Sequence, residues 1–179
     1  MPDNADALLV KKCLEGNQQA MKELYDRHKA PMYSLCLRYA NDSFEAQDFL
    51  QEGFIKVFAD LGQFQGTGAL GGWIRQVVVR TILQKMRQRK LNFAETEVES
   101  LANQYASNEG VLQQFREQAI LKMVQALPDG FRLVFNMYVM EGYSHKEIAS
   151  QLNISEGTSK SQLSRAKEAL RKVLEKEFS

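Results

Sequence analysis

The chain has 179 residues, 44% of them hydrophobic, with a formal net charge of +1, which suits one medium or two small cores. Its two histidines, His28 and His145, have no ligand spacing to a cysteine or a carboxylate pair, and no glycine-rich phosphate loop, nucleophile elbow or triad is visible. The sequence therefore predicts no metal site, no cofactor and no catalytic residue. No apolar stretch approaches the roughly 18 to 20 residues that cross a bilayer, and the amino terminus is not signal-like. Those features predict a cytoplasmic chain without membrane insertion, in which Cys13 and Cys36 serve as reduced, small core hydrophobes.

Apolar residues recur at three- and four-residue steps, long period-two runs are absent and there are only three prolines. The expected fold is all-α. Helices are expected over 5–15, 18–39, 44–61, 70–89, 115–127 and 128–140, followed by a closing pair. Asn17 and Ser43 are natural caps, Gly16 a natural stop, and Pro31 should kink or break the second helix. Residues 92–114 lose periodicity and gather Glu, Ser, Asn and Gln, the composition of a flexible linker. Two small helical domains, 1–91 and 115–179, are expected on either side of it.

In the first domain, Asp48, Gln51 and Glu52 cluster within about one turn of an amphipathic helix whose core candidates are Phe49, Ile55, Val57 and Phe58. Solvation is the ordinary role of such a polar patch. The run from Gly62 to Gly72 is too glycine-dense to be helical throughout and ends at Trp73. Between Trp73 and Lys90 come Arg75, Arg80, Lys85, Arg87, Arg89 and Lys90 without one acid, and Glu95, Glu97, Glu99 and Glu109 follow. The near-neutral total thus hides a basic patch. A loop beside a cationic helix suits a single nucleic-acid strand, with cations on the backbone and an aromatic or loop pocket for an unstacked base. Alternatively, Trp73, Ile74, Val77, Val78 and Ile82 simply pack the helix and the cations solvate its outer face; the apolar neighbours of Trp73 favour packing for that residue.

The second domain closes with Tyr143 to Ala166, which reads as a helix-turn-helix. Ser144 and Glu147 form a capping box, and Tyr143 and Ile148 can staple across it. Ile148, Ala149 and Leu152 face inward, and Asn153 tolerates the left-handed exit of a tight turn. Ser155 caps the next helix, Glu156 suits its positive end, and Leu163, Ala166, Leu170, Val173 and Leu174 mark its apolar stripe. Opposite that stripe stand Thr158, Lys160, Ser161, Gln162 and Arg165, residue types that bond phosphates and base edges in a major groove. By chemistry, Lys160 suits a phosphate, whereas Ser161 and Gln162 suit base edges. An ordinary helical hairpin with a solvated polar face would carry the same pattern.

Taken together, these residues resemble the extracytoplasmic-function (ECF) group of the sigma-70 family of bacterial RNA polymerase sigma factors. The resemblance covers nearly the whole chain: Asp48-x-x-Gln51-Glu52-x-Phe54, the Phe64-x-Gly66 loop leading to Trp73-Ile74, the basic run Met86-Arg87-Gln88-Arg89-Lys90, and in the second half Leu127-Pro128, Arg132, Glu147-Ile148-Ala149, Gly157-Thr158, Lys160-Ser161 and Arg165-Ala166. It implies that Asp48, Gln51 and Glu52 dock on the beta-prime subunit of core polymerase. It implies that Phe64, Gly66, Thr67, Trp73, Arg75, Arg80, Arg87 and Arg89 serve the minus-10 promoter element. Ser155, Thr158, Lys160, Ser161, Gln162 and Arg165 would serve the minus-35 element while their domain sits on the beta subunit. Promoter DNA and an anti-sigma factor are the further partners implied. The chain departs from the family pattern at Arg80, where asparagine is common, at Leu70 for an aromatic residue, at Ser159 for a branched apolar one, and at Gln162 for a basic one. The rival readings are an autonomous helix-turn-helix regulator acting on a two-fold symmetric site without polymerase, a helical adaptor without DNA contact, and, more remotely, an enzyme.

Overall fold

The structure, a computed structural model, describes residues 4–88 and 116–177. Arg89, the segment 92–114 and the two expected domain boundaries lie outside the described residues. Among the described residues every regular element is helical. The chain divides into two compact units, Met1–Lys85 and Met86–Ser179.

The first unit contains α1 (Asn4–Leu14), α2 (Gln18–Tyr39), α3 (Ser43–Asp60) and most of α4 (Leu70–Gln88). Gly16 ends the first turn region with φ +80°, and Asn17 caps α2 by accepting a 3.0 Å bond from the Ala20 amide. Helix α2 continues unbroken through Pro31. Proline removes one amide donor, but Pro31 is exposed, so water can serve the carbonyl left behind. The cap of α3 is Asp42 rather than Ser43: the Asp42 carboxylate accepts from the Glu45 amide at 2.8 Å, and Ser43 is already helical. Asp42 holds extended backbone and offers a charged acceptor at the positive end of the helix, which makes it the better cap.

Leu24, Leu35, Cys36, Tyr39, Phe49, Val57, Ile74, Val78 and Ile82 are buried in this unit. Ile55, expected in the core with Phe49 and Val57, is 64% exposed. It stands seven residues after Asp48, on the face of α3 that carries the polar cluster rather than on the packed one. Cys13 and Cys36 are buried free thiols; burial pushes the Cys36 thiol up to about 12, which leaves it an inert core hydrophobe. Gly53 lets α3 and α4 approach closely, since a Cβ there would lie 3.1 and 3.3 Å from the two γ-carbons of Val78.

The second unit contains α5 (Arg116–Gln125), α6 (Asp129–Phe135), α7 (His145–Leu152) and α8 (Glu156–Glu177). Leu127, Phe131, Ala166 and Ala169 form a core cluster, with Phe135 and Leu170 packed against it. Leu174, expected on the stripe of α8, is 39% exposed, while Val173 before it is buried. The helix expected over 128–140 is instead α6 followed by one π-helical turn, Asn136–Met140, closed by a 3.0 Å bond from the Glu141 amide to the Asn136 carbonyl. Arg132 is 1% exposed and clasps the preceding turn: its Nη1 donates to the carbonyls of Gln125 (2.6 Å) and Leu127 (3.0 Å), and its Nη2 pairs with Asp129. A buried guanidinium thus gains partners for two of its nitrogens while closing the turn between α5 and α6.

Candidate nucleic-acid interface

Helices α7 and α8 form the helix-turn-helix. Its first helix opens on a complete capping box: the Glu147 amide donates to Ser144 Oγ at 3.2 Å, and the Ser144 amide donates to Glu147 Oε2 at 2.8 Å. Hydrogen bonds from the Ser144 side chain and backbone hold the Glu147 carboxyl below the usual range. The helix ends at Asn153, which takes the left-handed conformation with φ 55° and ψ 47°. Ser155 then caps α8, accepting from the Thr158 amide at 2.9 Å and sharing a 2.9 Å hydroxyl bond with Thr158 Oγ1. Two of the candidate DNA residues, Ser155 and Thr158, are therefore also what starts the second helix.

Within the first turns of α8, Lys160 and Ser161 are exposed, and Thr158 and Arg165 are half-buried. Ser161 Oγ donates to the Thr158 carbonyl at 3.0 Å. Gln162, expected among the exposed residues, is 2% exposed, and Ser159 is fully buried. The cause is helical phase. Each residue turns the helix by about 100°, so with Ser159 facing inward Gln162 also comes round to the inner side, whereas Ser161 points nearly away from it. Gln162 in this position is covered by the protein rather than presented to solvent with Lys160 and Ser161. Ser159 Oγ instead bonds Nδ1 of His145 at 2.9 Å, and the imidazole stacks on Tyr138 with ring centroids 4.5 Å apart.

In the first unit, Asp48, Gln51 and Glu52 are all exposed on one face of α3. Phe44, 80% exposed, and Ile55 lie along the same face at four- and seven-residue steps from Asp48. Glu52 pairs with Lys85 of α4. Helix α4 is buried along most of its circumference at Ile74, Val77, Val78, Val79, Ile82, Leu83 and Met86. What remains outside is a narrow stripe of Gly72, Gln76, Arg80, Gln84, Arg87 and Gln88, with Trp73 half-buried near its start. Arg75 is half-buried and off this stripe. Gln76 and Gln84, absent from the residues expected to serve DNA, stand at four-residue steps from Arg80, and that spacing is their signal in the sequence.

The loop before α4 starts with a short 3-10 turn, Leu61–Gln63. Phe64 follows, half-buried, its ring 5.6 Å from that of Trp73 and tilted by 55°. Gly66 and Gly68 have φ of +70° and +112° with open space where a side chain would be, so backbone conformation rather than room calls for glycine there. Thr67, between them, is exposed. Phe64, Gly66, Thr67 and Trp73 are thus gathered at the amino-terminal end of the cationic stripe. Arg89, the last of that group, lies outside the described residues.

Comparison with known proteins gives these surfaces a context. The family model for Sigma-70 region 2 matches residues 24–91, and that for Sigma-70, region 4, matches 117–170. The RNA polymerase sigma-H factor of Pseudomonas aeruginosa is 27% identical, covering 95% of this chain and 94% of its own. The ECF RNA polymerase sigma factor SigW of Bacillus subtilis is 27% identical over 92% of this chain and 94% of that one, and the ECF RNA polymerase sigma-E factor of Escherichia coli is 26% identical over 92% of each. Among solved structures, the fold resembles the sigma factor RpoE in complex with the anti-sigma factor NepR from Bartonella quintana, with a TM-score of 0.52, 19% identity, and 86% and 96% of the two chains covered. It also resembles CnrH in complex with the cytosolic domain of CnrY, with a TM-score of 0.50, 20% identity and coverages of 96% and 98%. An autonomous helix-turn-helix regulator leaves the region 2 match unexplained. With two regions of one family matched in the two halves, and relatives aligned along more than nine-tenths of its length, the chain belongs to the ECF group of the sigma-70 family of RNA polymerase sigma factors.

Proposed function

We propose that this sigma factor docks on core polymerase through Asp48, Gln51 and Glu52 and recognises promoter DNA with two separate surfaces. The observation that carries this reading is the division of labour within the first unit: α3 offers a polar, acidic face, whereas α4 offers a cationic and amide-bearing stripe beginning at a glycine loop. The acidic face suits the beta-prime subunit. The stripe of Arg80 and Arg87, with Arg75 and Arg89, suits the phosphates of the minus-10 element, and the loop of Phe64, Gly66 and Thr67 beside Trp73 suits a base drawn from the stack.

Lys160, Ser161, Thr158, Ser155 and Arg165 serve the minus-35 element, Lys160 and Arg165 through phosphates and Ser161 through a base edge. Each surface alone is a weak reader. Joined on one chain and held by polymerase, each raises the effective concentration of the other at a promoter of matching spacing. The beta subunit would support the second unit, polymerase would supply all catalysis, and the chain would work in the cytoplasm. An anti-sigma factor that covers these surfaces is the expected regulator, supported by the fold's likeness to a sigma factor solved with such a partner.

The test is run-off transcription by bacterial core polymerase from promoter fragments of the source organism. Specific initiation should require this chain and disappear with the Asp48→Arg/Glu52→Arg variant. Initiation that survives that substitution would remove α3 as the docking face.

A further inference from the structure

We propose that Tyr138, His145 and Ser159 form a positioning device that fixes the rotation of α8 about its own axis, and so determines which side chains of its first turns face the minus-35 bases. This rests on the reading of α8 as the DNA-reading helix. The three residues come from three successive elements: the π-helical turn, the first turn of α7 and the first turn of α8. Ser159 has no exposed surface, and its hydroxyl meets His145 Nδ1 at 2.9 Å. Tyr138 stacks on the face of the imidazole, 4.5 Å between centroids and 22° from parallel.

The position of Ser159 is what gives the contact its leverage. It lies between Thr158 and Lys160, so tethering it inward sends those two side chains about 100° to either side and Ser161 nearly to the opposite face. An apolar residue at 159 would also pack inward, but apolar contact is non-directional and tolerates a roll of the helix. A hydrogen bond is directional and, for a buried hydroxyl, costly to lose. The three other hydroxyls at the start of α8 are engaged along the chain itself, those of Ser155 and Thr158 with each other and that of Ser161 with the Thr158 carbonyl. The His145–Ser159 bond is, of these, the one that reaches across from α7. His145 and Ser159 are positioning residues; neither needs to touch DNA.

The experiment uses holoenzyme reconstituted from core polymerase and the full chain, transcribing a promoter library randomised in the minus-35 element. Ser159→Val and His145→Phe should each compress the preference between the best and worst sequences by about tenfold and reorder it, while preference at the minus-10 element stays the same. His145→Asn, whose side-chain amide can occupy the place of Nδ1, should retain most of the original ranking. In the double variant Ser159→Val/His145→Phe both polar groups are gone, so its loss should be smaller than the product of the single losses. A lower melting temperature with the original minus-35 ranking intact would overturn the proposal, because the bond would then be structural only. So would single losses that simply multiply in the double variant. If the unsubstituted chain shows no minus-35 preference at all, the reading of α8 as a promoter reader fails and this proposal falls with it.

Discussion

Glu52 and Lys85, 33 residues apart on α3 and α4, are ion-paired, and the same ammonium sits 5.7 Å from the centre of the Phe49 ring. One lysine of the basic helix therefore partly neutralises the acidic face proposed to meet polymerase. The pair is open to solvent, with side-chain exposures of 27% for Lys85 and 48% for Glu52. Lys85→Ala should lower stability by only about 0 to 1 kcal/mol in urea denaturation, while leaving Glu52 more available and strengthening polymerase binding in a titration against fluorescently labelled core.

Arg132 is the opposite case, a charge taken out of water and satisfied by carbonyls. Arg132→Met keeps most of the bulk but strands the Gln125 and Leu127 carbonyls, and should cost about 3 kcal/mol in chemical denaturation. Asp129→Asn should cost about 1 kcal/mol, since that carboxylate is partly exposed and the two carbonyl bonds to Arg132 survive.

These two interactions also show what a sequence can reveal. The caps of the helix-turn-helix are legible because they are local: Ser144 with Glu147, Asn153 at the exit and Ser155 with Thr158 all act within three residues. The exposed placement of Asp48, Gln51, Glu52, Lys160 and Ser161 follows from period alone. Gln162 does not, because its polarity suggests an outer position and only the packing of α8 decides its phase. Ile55 is the mirror image, an apolar residue on a polar face. The choice of Asp42 over Ser43 depends on where the chain turns by one residue, and the π-helical turn after Phe135 shifts every later residue in that segment without a local signature. The pairs Glu52–Lys85 and His145–Ser159 need the assembled fold.

The capping box gives a pH dependence with a defined sign. Glu147 titrates below its ordinary range when folded, so its contribution is complete above that range and is lost as pH falls through the lowered value. An NMR titration should place its midpoint below that of the same group in Ser144→Ala. The substitution should also cost about 1 kcal/mol at neutral pH through the lost cap.

Lys160 is exposed on α8 and is proposed to meet a phosphate. Lys160→Ala should reduce the slope of log affinity against log salt by about one charge and leave the order of promoter preference unchanged, measured with holoenzyme on a panel of minus-35 variants. A reordered panel with the original slope would make Lys160 a base reader instead.

The close seating of Val78 on Gly53 has a mechanical consequence. Two helices in backbone-near contact behave as one girder, and a force delivered to α3 reaches α4 without a joint in between. If the glycine loop takes up an unstacked base as proposed, the chain has its rotational slack for that at Gly66 and Gly68 rather than in a swing of one helix against the other.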